Sequence, residues 1–123
     1  MKLTEHLEPG GVGVMATAGV DGAVNTAVYS RPHVIDEGTA AWGMTEGRTY
    51  RNVRGNPNAS YMYIFPGGGY RGVRLTLRRK EIQESGSILE MIRARTRESS
   101  GEEAATAVKY VAFFEILEKR PLV

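Results

Sequence analysis

Short runs of strand-forming residues recur along the chain, and each run is bounded by glycine, proline or Asp-Gly turn signals. In the clearest run Val73, Leu75 and Leu77 alternate with arginine and threonine. Such a period of two buries one face of a strand and leaves the other in water. Glycine supplies 15 of the 123 residues, and it suits tight turns and close backbone approaches. The pattern predicts a mainly β protein with short α-helices.

The turn signals predict six strands joined largely as a meander. Asp21-Gly22 predicts the turn of a first hairpin, because Asp-Gly is favoured in two-residue hairpin loops. Arg31-Pro32 interrupts the second strand, and extended structure is expected to resume at His33. The predicted strands cover residues 12–17, 23–30 with its continuation at 33–35, 39–44, 59–65, 70–82 and 107–116. The predicted helices cover residues 48–55 and 87–97, with a helical stretch near residues 4–8 and a polar loop at residues 98–103.

Composition predicts one domain that spans residues 1–123. Hydrophobic residues make up 41% and charged residues 24% of the chain, a balance typical of a folded globule. The chain has no cysteine, which excludes disulfides, thiolate nucleophiles and cysteine-bound zinc or iron-sulfur clusters. No apolar run approaches the roughly 18 residues that a membrane span needs, and the opening residues lack the apolar stretch of a signal peptide. We therefore expect a cytoplasmic protein without a membrane partner.

Several classes of function find little support in the sequence. The chain has 2 histidines, and neither His6 nor His33 stands in a nucleophile motif. No set of residues has metal-ligand spacing, so no metal is expected. The glycine-rich residues 66–72 lack the Gly-Lys-Ser/Thr ending of a phosphate loop and are interpreted as a hairpin connection. Arg74 and Arg78 are interpreted as a solvated strand face, so no nucleic acid partner is expected.

The most informative segment is residues 43–53, where a strand end leads through a tight turn into a helix start. Free N–H groups of a first helical turn, the Thr45 and Thr49 hydroxyls and the Arg48 guanidinium could converge there on a phosphate. The alternative is that Thr49 only caps a surface helix while Arg48 and Arg51 stay solvated. The residues alone leave both interpretations open.

The order of these elements resembles the FMN-binding split barrel of the pyridoxamine 5′-phosphate oxidase-like superfamily, over about residues 11–117. Three pieces carry the resemblance: the hairpin at residues 14–26, the strand end Trp42-Gly43-Met44-Thr45, and Arg48-Thr49 followed by Asn52-Val53 and Asn56-Pro57. The resemblance implies a six-stranded split β-barrel of Greek-key and meander topology that binds FMN.

The resemblance also implies a set of cofactor-binding residues. Arg48 and Thr49 would hold the FMN phosphate, and Asn25 and Thr26 would add polar contacts. The residues implied to line the isoalloxazine ring are Ala27, Val28, Tyr29, Trp42, Gly43, Met44 and Thr45.

A homodimer with FMN at the subunit interface follows from the same resemblance. The predicted last strand agrees, because Val111 and Phe113 on one face and Tyr110 and Phe114 on the other both need a cover. The alternative is that the helix predicted at residues 87–97 covers this strand within one chain.

Two functions follow as hypotheses. The first is an FMN-dependent oxidoreductase or electron carrier with a small-molecule redox partner, in which the flavin supplies the chemistry. The substrate-phosphate Arg and His set of true pyridoxamine phosphate oxidases is not found, so no catalytic residue is named. The second is a non-catalytic module that binds haem, deazaflavin (F420) or another phosphorylated ligand, with His33 as a candidate iron ligand.

Overall fold

The computed structural model describes residues 2, 3 and 7–123. The helical stretch predicted near residues 4–8 falls largely on residues 4–6, which lie outside the described residues. The strands are β1 (Val12–Ala18), β2 (Val24–Val28), β3 (His33–Asp36), β4 (Thr39–Met44), β5 (Asn58–Ile64), β6 (Gly72–Gln83) and β7 (Tyr110–Arg120). The helices are α1 (Arg48–Gly55), α2 (Ser87–Ser100) and α3 (Glu102–Ala107).

All seven strands form one antiparallel sheet in the order β2-β1-β5-β6-β7-β4-β3. The sheet does not close, because β2 and β3 form its two edges. The prediction of six strands is wrong. Arg31-Pro32 does not merely interrupt one strand: it carries the chain from β2, which pairs with β1, to β3, which pairs with β4 at the opposite edge. The meander is broken at this crossing.

The main core lies on the inner face of the sheet and is rich in aromatic side chains. Trp42 of β4 packs against Tyr61 and Phe114, with ring centroids 4.8 and 5.5 Å apart. The alternation predicted for β6 is confirmed, since Val73, Leu75 and Leu77 are all buried. Alternating burial on β1 and β5 completes the same layer.

Helix α2 covers the other face of β4 and β7. A second apolar cluster joins Leu89 of α2 to Ala41, Val111 and Phe113 of the two strands. The first half of β7 is therefore buried on both faces within one chain, as the alternative interpretation of that strand held.

The loop predicted at residues 98–103 is wrong, because α2 continues to Ser100 and α3 begins at Glu102. The polar residues of this stretch lie on solvated helix surface. Only Gly101, at φ +94°, breaks the two helices apart. Arg97 of α2 forms an ion pair with Glu102 of α3 across that break.

Helix α1 has the predicted bounds and packs at the end of the β1–β2 hairpin. The amide of Asn52 donates to the Thr17 hydroxyl at 3.1 Å, which ties the helix to β1. Tyr50 and Val53 bury its apolar side in the main core. This packing holds the start of α1 beside β2. Within the described residues, no helix is long and apolar enough to span a membrane.

Candidate functional site

Two backbone edges lack a strand partner where the sheet fails to close. Strand β2 pairs only with β1, and the pairing of β3 with β4 ends at the His33–Ala41 pair. Beyond Ala41, the β3-side edge of β4 at residues 42–44 has no strand partner within the described residues. The indole N–H of Trp42 donates to the Ser30 carbonyl at 3.1 Å, so the chain leaving β2 passes close to this edge. We call the space between these two edges the cleft.

The crossing from β2 to β3 is positioned by a buried tyrosine. The Tyr61 hydroxyl lies 3.2 Å from the Tyr29 carbonyl and 2.9 Å from the Ser30 carbonyl. Gly13 allows this approach, because a Cβ there would stand 2.0 Å from the Tyr61 hydroxyl oxygen and 2.3 Å from the Tyr29 carbonyl oxygen. Any larger residue at position 13 would push the crossing away from the core.

The β1–β2 register sorts the site residues predicted on β2 into two faces. Asn25 pairs with Thr17 and Ala27 with Met15, both buried, so their side chains lie on the inner face. The side chains of Thr26 and Val28 lie on the outer face, where Val28 is 78% exposed. Thr26 and Val28 can therefore offer the cleft only main-chain groups.

Helix α1 begins without a side-chain cap. Its N-cap residue is Gly47, and the first helical bond runs from the Arg51 N–H to the Gly47 carbonyl at 3.0 Å. The N–H groups of Arg48, Thr49 and Tyr50 consequently have no partner within the helix. The interpretation of Thr49 as a cap is wrong, because Thr49 lies inside the first turn.

Thr49 instead connects α1 to β2. Its side chain is buried, and its hydroxyl oxygen lies 3.4 Å from the Asn25 amide nitrogen, a long hydrogen bond. Burial raises the pKa of the Tyr29 hydroxyl above its ordinary value of 10.0, and a hydrogen bond with the Thr49 side chain partly offsets that rise. Tyr29 therefore remains a protonated donor near Thr49 at neutral pH.

The donors at this helix start fit a phosphate group. Three free N–H groups, the Thr49 hydroxyl, the Asn25 amide and the Arg48 guanidinium belong to one short stretch of structure, and the first turn of α1 carries no acidic residue. Arg48 is exposed and forms no ion pair within the described residues. The turn is open, because a Cβ at Gly47 would meet only the Thr45 hydroxyl, at 4.0 Å. A helix N-terminus with an arginine beside it is a typical phosphate cradle, and FMN carries such a phosphate.

Residues 42–45 at the end of β4 were predicted to line the isoalloxazine ring, and burial limits which of their groups can contact a ligand. Trp42 and Met44 are 2% and 1% exposed and belong to the core, so only their main-chain groups can meet a ligand in the cleft. Gly43 lies on the opposite face of β4, where a Cβ would come within 2.6 Å of Ile92. Thr45 is exposed at the end of the strand.

A cavity of about 780 Å³ lies between β3, β4 and α2, and sequence reasoning did not find it. Its polar lining is Ser30, Arg31 and His33 from the crossing and β3, and Arg95, Thr96 and Ser99 from α2; Trp42 and Gly43 also line it. These residues are far apart in the sequence. The one available signal was the polar face that Arg95 and Ser99 share on α2 at i, i+4 spacing.

His33 holds an unusual position in this cavity. Its Nδ1 atom is buried and has no hydrogen-bond partner within the described residues, although the ring as a whole is only half-buried. Burial, and to a smaller extent the charge of Arg95, lowers the pKa of His33 below 6.5. The ring is therefore neutral at pH 7, and Nε2 is the nitrogen that remains for the cavity.

No family model and no curated protein matches this chain. Solved structures of similar fold do exist. An FMN-binding protein from Syntrophomonas wolfei subsp. wolfei matches with a TM-score of 0.81 at 18% identity, over 90% of this chain and 76% of that one. An F420 reductase matches with a TM-score of 0.72 at 16% identity, over 93% and 92% of the two chains. HutZ, the haem storage protein from Vibrio cholerae, matches with a TM-score of 0.62 at 19% identity, over 97% and 88%.

Identities this low establish the fold and leave the ligand open. The same architecture occurs in further solved structures of pyridoxamine 5′-phosphate oxidase-like proteins. The chain therefore shares its fold with these solved structures, in agreement with the split-barrel fold that the sequence resemblance implied.

Proposed function

We propose that this chain is a cytoplasmic FMN-binding flavoprotein that acts as an FMN-dependent oxidoreductase or electron carrier. The observation that carries the proposal is the set of hydrogen-bond donors at the start of α1, placed directly beside the cleft. When bound, FMN would supply the electron or hydride transfer, and the protein would bind, orient and shield it. The S. wolfei protein of similar fold is itself FMN-binding.

Different elements of the chain would bind different parts of FMN. Arg48, Thr49 and the free N–H groups of the first turn of α1 would hold the phosphate, with Asn25 reaching it from β2. Main-chain groups of residues 26–29 and 42–45, on the two unpaired edges, would meet the ring and its ribityl chain. No side chain in the cleft is assigned as a general acid or base.

We further propose that two copies associate, with each FMN in the groove between them. The support is an apolar patch on the outer face of β1, β2 and β5, formed by Val12, Val24, Val28 and Met62, which are 51%, 77%, 78% and 36% exposed. The registers put all four side chains on this one face. Exposed apolar side chains grouped on one face of a sheet are typical of interaction sites. Because β2 carries the patch on one face and the cleft residues on the other, a partner seated here would lie next to the cofactor.

The test is retention of FMN by the purified protein, read from its absorption spectrum after free FMN has been removed by filtration. Arg48→Ala should weaken FMN binding roughly tenfold or more, because a hydrogen bond to a charged group contributes about 1.5–3 kcal/mol. Arg51→Ala is the matched control, since Arg51 is an equally exposed arginine of α1 one turn further on.

Retention of FMN by the unmodified chain and selective loss in Arg48→Ala would support the proposal. If the unmodified chain retains no flavin after reconstitution, the FMN function is wrong. If both variants lose affinity equally, general positive charge and not the helix start is responsible, and Arg48 has no assigned role.

A second candidate is a non-catalytic module that binds haem. HutZ of similar fold is a haem storage protein, and His33 presents a ring nitrogen to the large cavity. Neutral imidazole is a common axial ligand of haem iron. A Soret band in the purified protein, lost on His33→Ala, would favour this function over the FMN-dependent one; deazaflavin would be recognised by its own absorption.

A further inference from the structure

We propose that the cavity between β3, β4 and α2 binds a small carboxylic acid with an apolar body. The cavity is separate from the phosphate-binding helix start, and its ligand is not FMN. That a ligand bound here would adjoin the flavin rests on the proposed function; that the cavity binds the acid does not.

The charges around the cavity favour an anion. Arg31 from the crossing and Arg95 from α2 both line it, and no carboxylate belongs to the described lining. Arg95 is close enough to His33 to lower the pKa of the imidazole, so the arginine and the ring lie in one electrostatic environment. Neither arginine forms an ion pair within the described residues.

The same groups favour a carboxylate over a phosphate. With Nδ1 buried, Nε2 is the His33 nitrogen that can donate a hydrogen bond to a ligand in the cavity. Arg31 already donates from one guanidinium nitrogen to the Leu7 carbonyl at 2.9 Å. The free planar fork of Arg95 matches the two oxygens of a carboxylate. Arg31 keeps its positive charge, but because the Leu7 carbonyl engages part of its guanidinium, Arg95 is the arginine of the lining whose whole fork is left for the two oxygens of a monoanionic carboxylate.

The rest of the lining is suited to an apolar body. Leu3, Leu7 and Ile92 of α2 line the cavity, and Val34 and Trp42 add apolar surface from β3 and β4. Binding sites for small molecules typically combine an apolar lining with a few convergent polar groups. An aromatic or branched aliphatic acid would place its carboxylate against Arg95 and His33 and its body against these walls.

The position of the cavity links this ligand to the proposed function. Trp42 and Gly43 line the cavity and also belong to the β4 edge that would meet the flavin ring. Under the proposed function, a ligand in the cavity would lie beside the edge of β4 assigned to the flavin ring, and it would limit access to the cofactor from that side.

Binding can be measured without flavin, because Trp42 is the only tryptophan of the chain. Benzoate is the probe, and its binding is followed by the single indole N–H signal of Trp42 in an NMR titration. Benzyl alcohol tests the need for charge, and phenyl phosphate tests the preference for a carboxylate. We expect saturable shifts with benzoate and binding at least tenfold weaker for the other two compounds.

Arg95→Gln should weaken benzoate binding about tenfold, within the range for loss of a charge-assisted hydrogen bond. Arg97→Gln is the matched control, because Arg97 lies on the same helix, is paired with Glu102 and does not line the cavity. Absence of saturable binding by benzoate, equal binding of phenyl phosphate, or equal losses in the two variants would each overturn the inference.

The same titration with FMN-reconstituted protein separates this inference from the proposed function. Benzoate binding by a chain that retains no FMN would support the cavity and refute the flavin function. FMN retention without benzoate binding would support the flavin function and refute the proposed ligand of the cavity.

Discussion

His33 combines a buried, unpartnered Nδ1 with a neighbouring arginine. A proton added to this ring in the folded protein would put charge into a poorly solvated site beside Arg95. In the unfolded chain the same ring titrates near its ordinary value of 6.5. Folding therefore favours the neutral imidazole, and the histidine couples stability to pH.

The expected consequence is a loss of stability on acidification. Below pH 6.5 the unfolded chain takes up a proton at His33 before the folded chain does, so the free energy of unfolding should fall until the pH passes below the depressed pKa of the folded state. Denaturant unfolding measured across this range should show the fall, and His33→Gln should remove that part of it. An identical pH dependence in both proteins would contradict the assignment, and NMR titration of the two histidines would report the pKa directly.

At the scale of elements, helix α2 has two faces with different tasks. Leu89 is fully buried against β4 and β7, and Ile88 and Ile92 pack beside it. Arg95 and Ser99, about one and two turns after Ile92, line the cavity. The apolar contact at the start of the helix thus sets where the polar lining stands.

Leu89→Ala should lower the free energy of unfolding by about 2–5 kcal/mol, the usual range for truncating a buried leucine. Met91→Ala is the control, because Met91 is 44% exposed on the same helix and a surface substitution changes stability by only about 0.5 kcal/mol or less. Denaturant unfolding measures both. If Leu89→Ala is as stable as Met91→Ala, α2 does not hold the second layer.

At the scale of the whole molecule, the two faces of the sheet differ in how well their apolar side chains are covered, above all at the β2 edge. The inner face packs on the core, but the outer face of β1, β2 and β5 exposes apolar side chains, including Val28 beside Val14 and Met62 in one row. Strand β7 is not the exposed apolar strand, because α2 and the core cover it. The proposed contact between two copies therefore lies at the patch and not at β7.

Val28→Lys should convert the proposed dimer to a monomer and reduce FMN retention, because it puts a charge into the contact. Val28 is 78% exposed in the single chain, so the monomer should still fold. Val20→Lys is the control: Val20 is 86% exposed in the β1–β2 turn and its side chain lies beside Gly55 at the end of α1. Sedimentation with absorption detection measures mass and bound flavin together. A monomeric mass for the unmodified chain would refute the dimer.

How far the sequence predicts this molecule depends on the range of the interactions involved. The end of helix α1 was predicted at its observed position, because Gly55-Asn56-Pro57 ends it locally, while its start at Arg48 lies within the predicted residues 45–49. The alternation of β6 and the turn at Gly22, which takes φ +86°, were likewise readable from neighbouring residues. The predicted strand at residues 107–116 was partly displaced, since α3 holds residue 107 and β7 runs from Tyr110 to Arg120.

Local patterning by itself determined the mainly β class, most of the strands and the phosphate-compatible helix start, because turn chemistry and side-chain periodicity act over a few residues. Only the tertiary structure decided that Arg31-Pro32 crosses between the two edges of the sheet, since strand partners are chosen by burial across the whole core. It also decided that Thr26 and Val28 face outward, through the register with β1, and that His33 meets Arg95 in one cavity. Those relations depend on residues far apart in the chain, whose proximity no local pattern encodes.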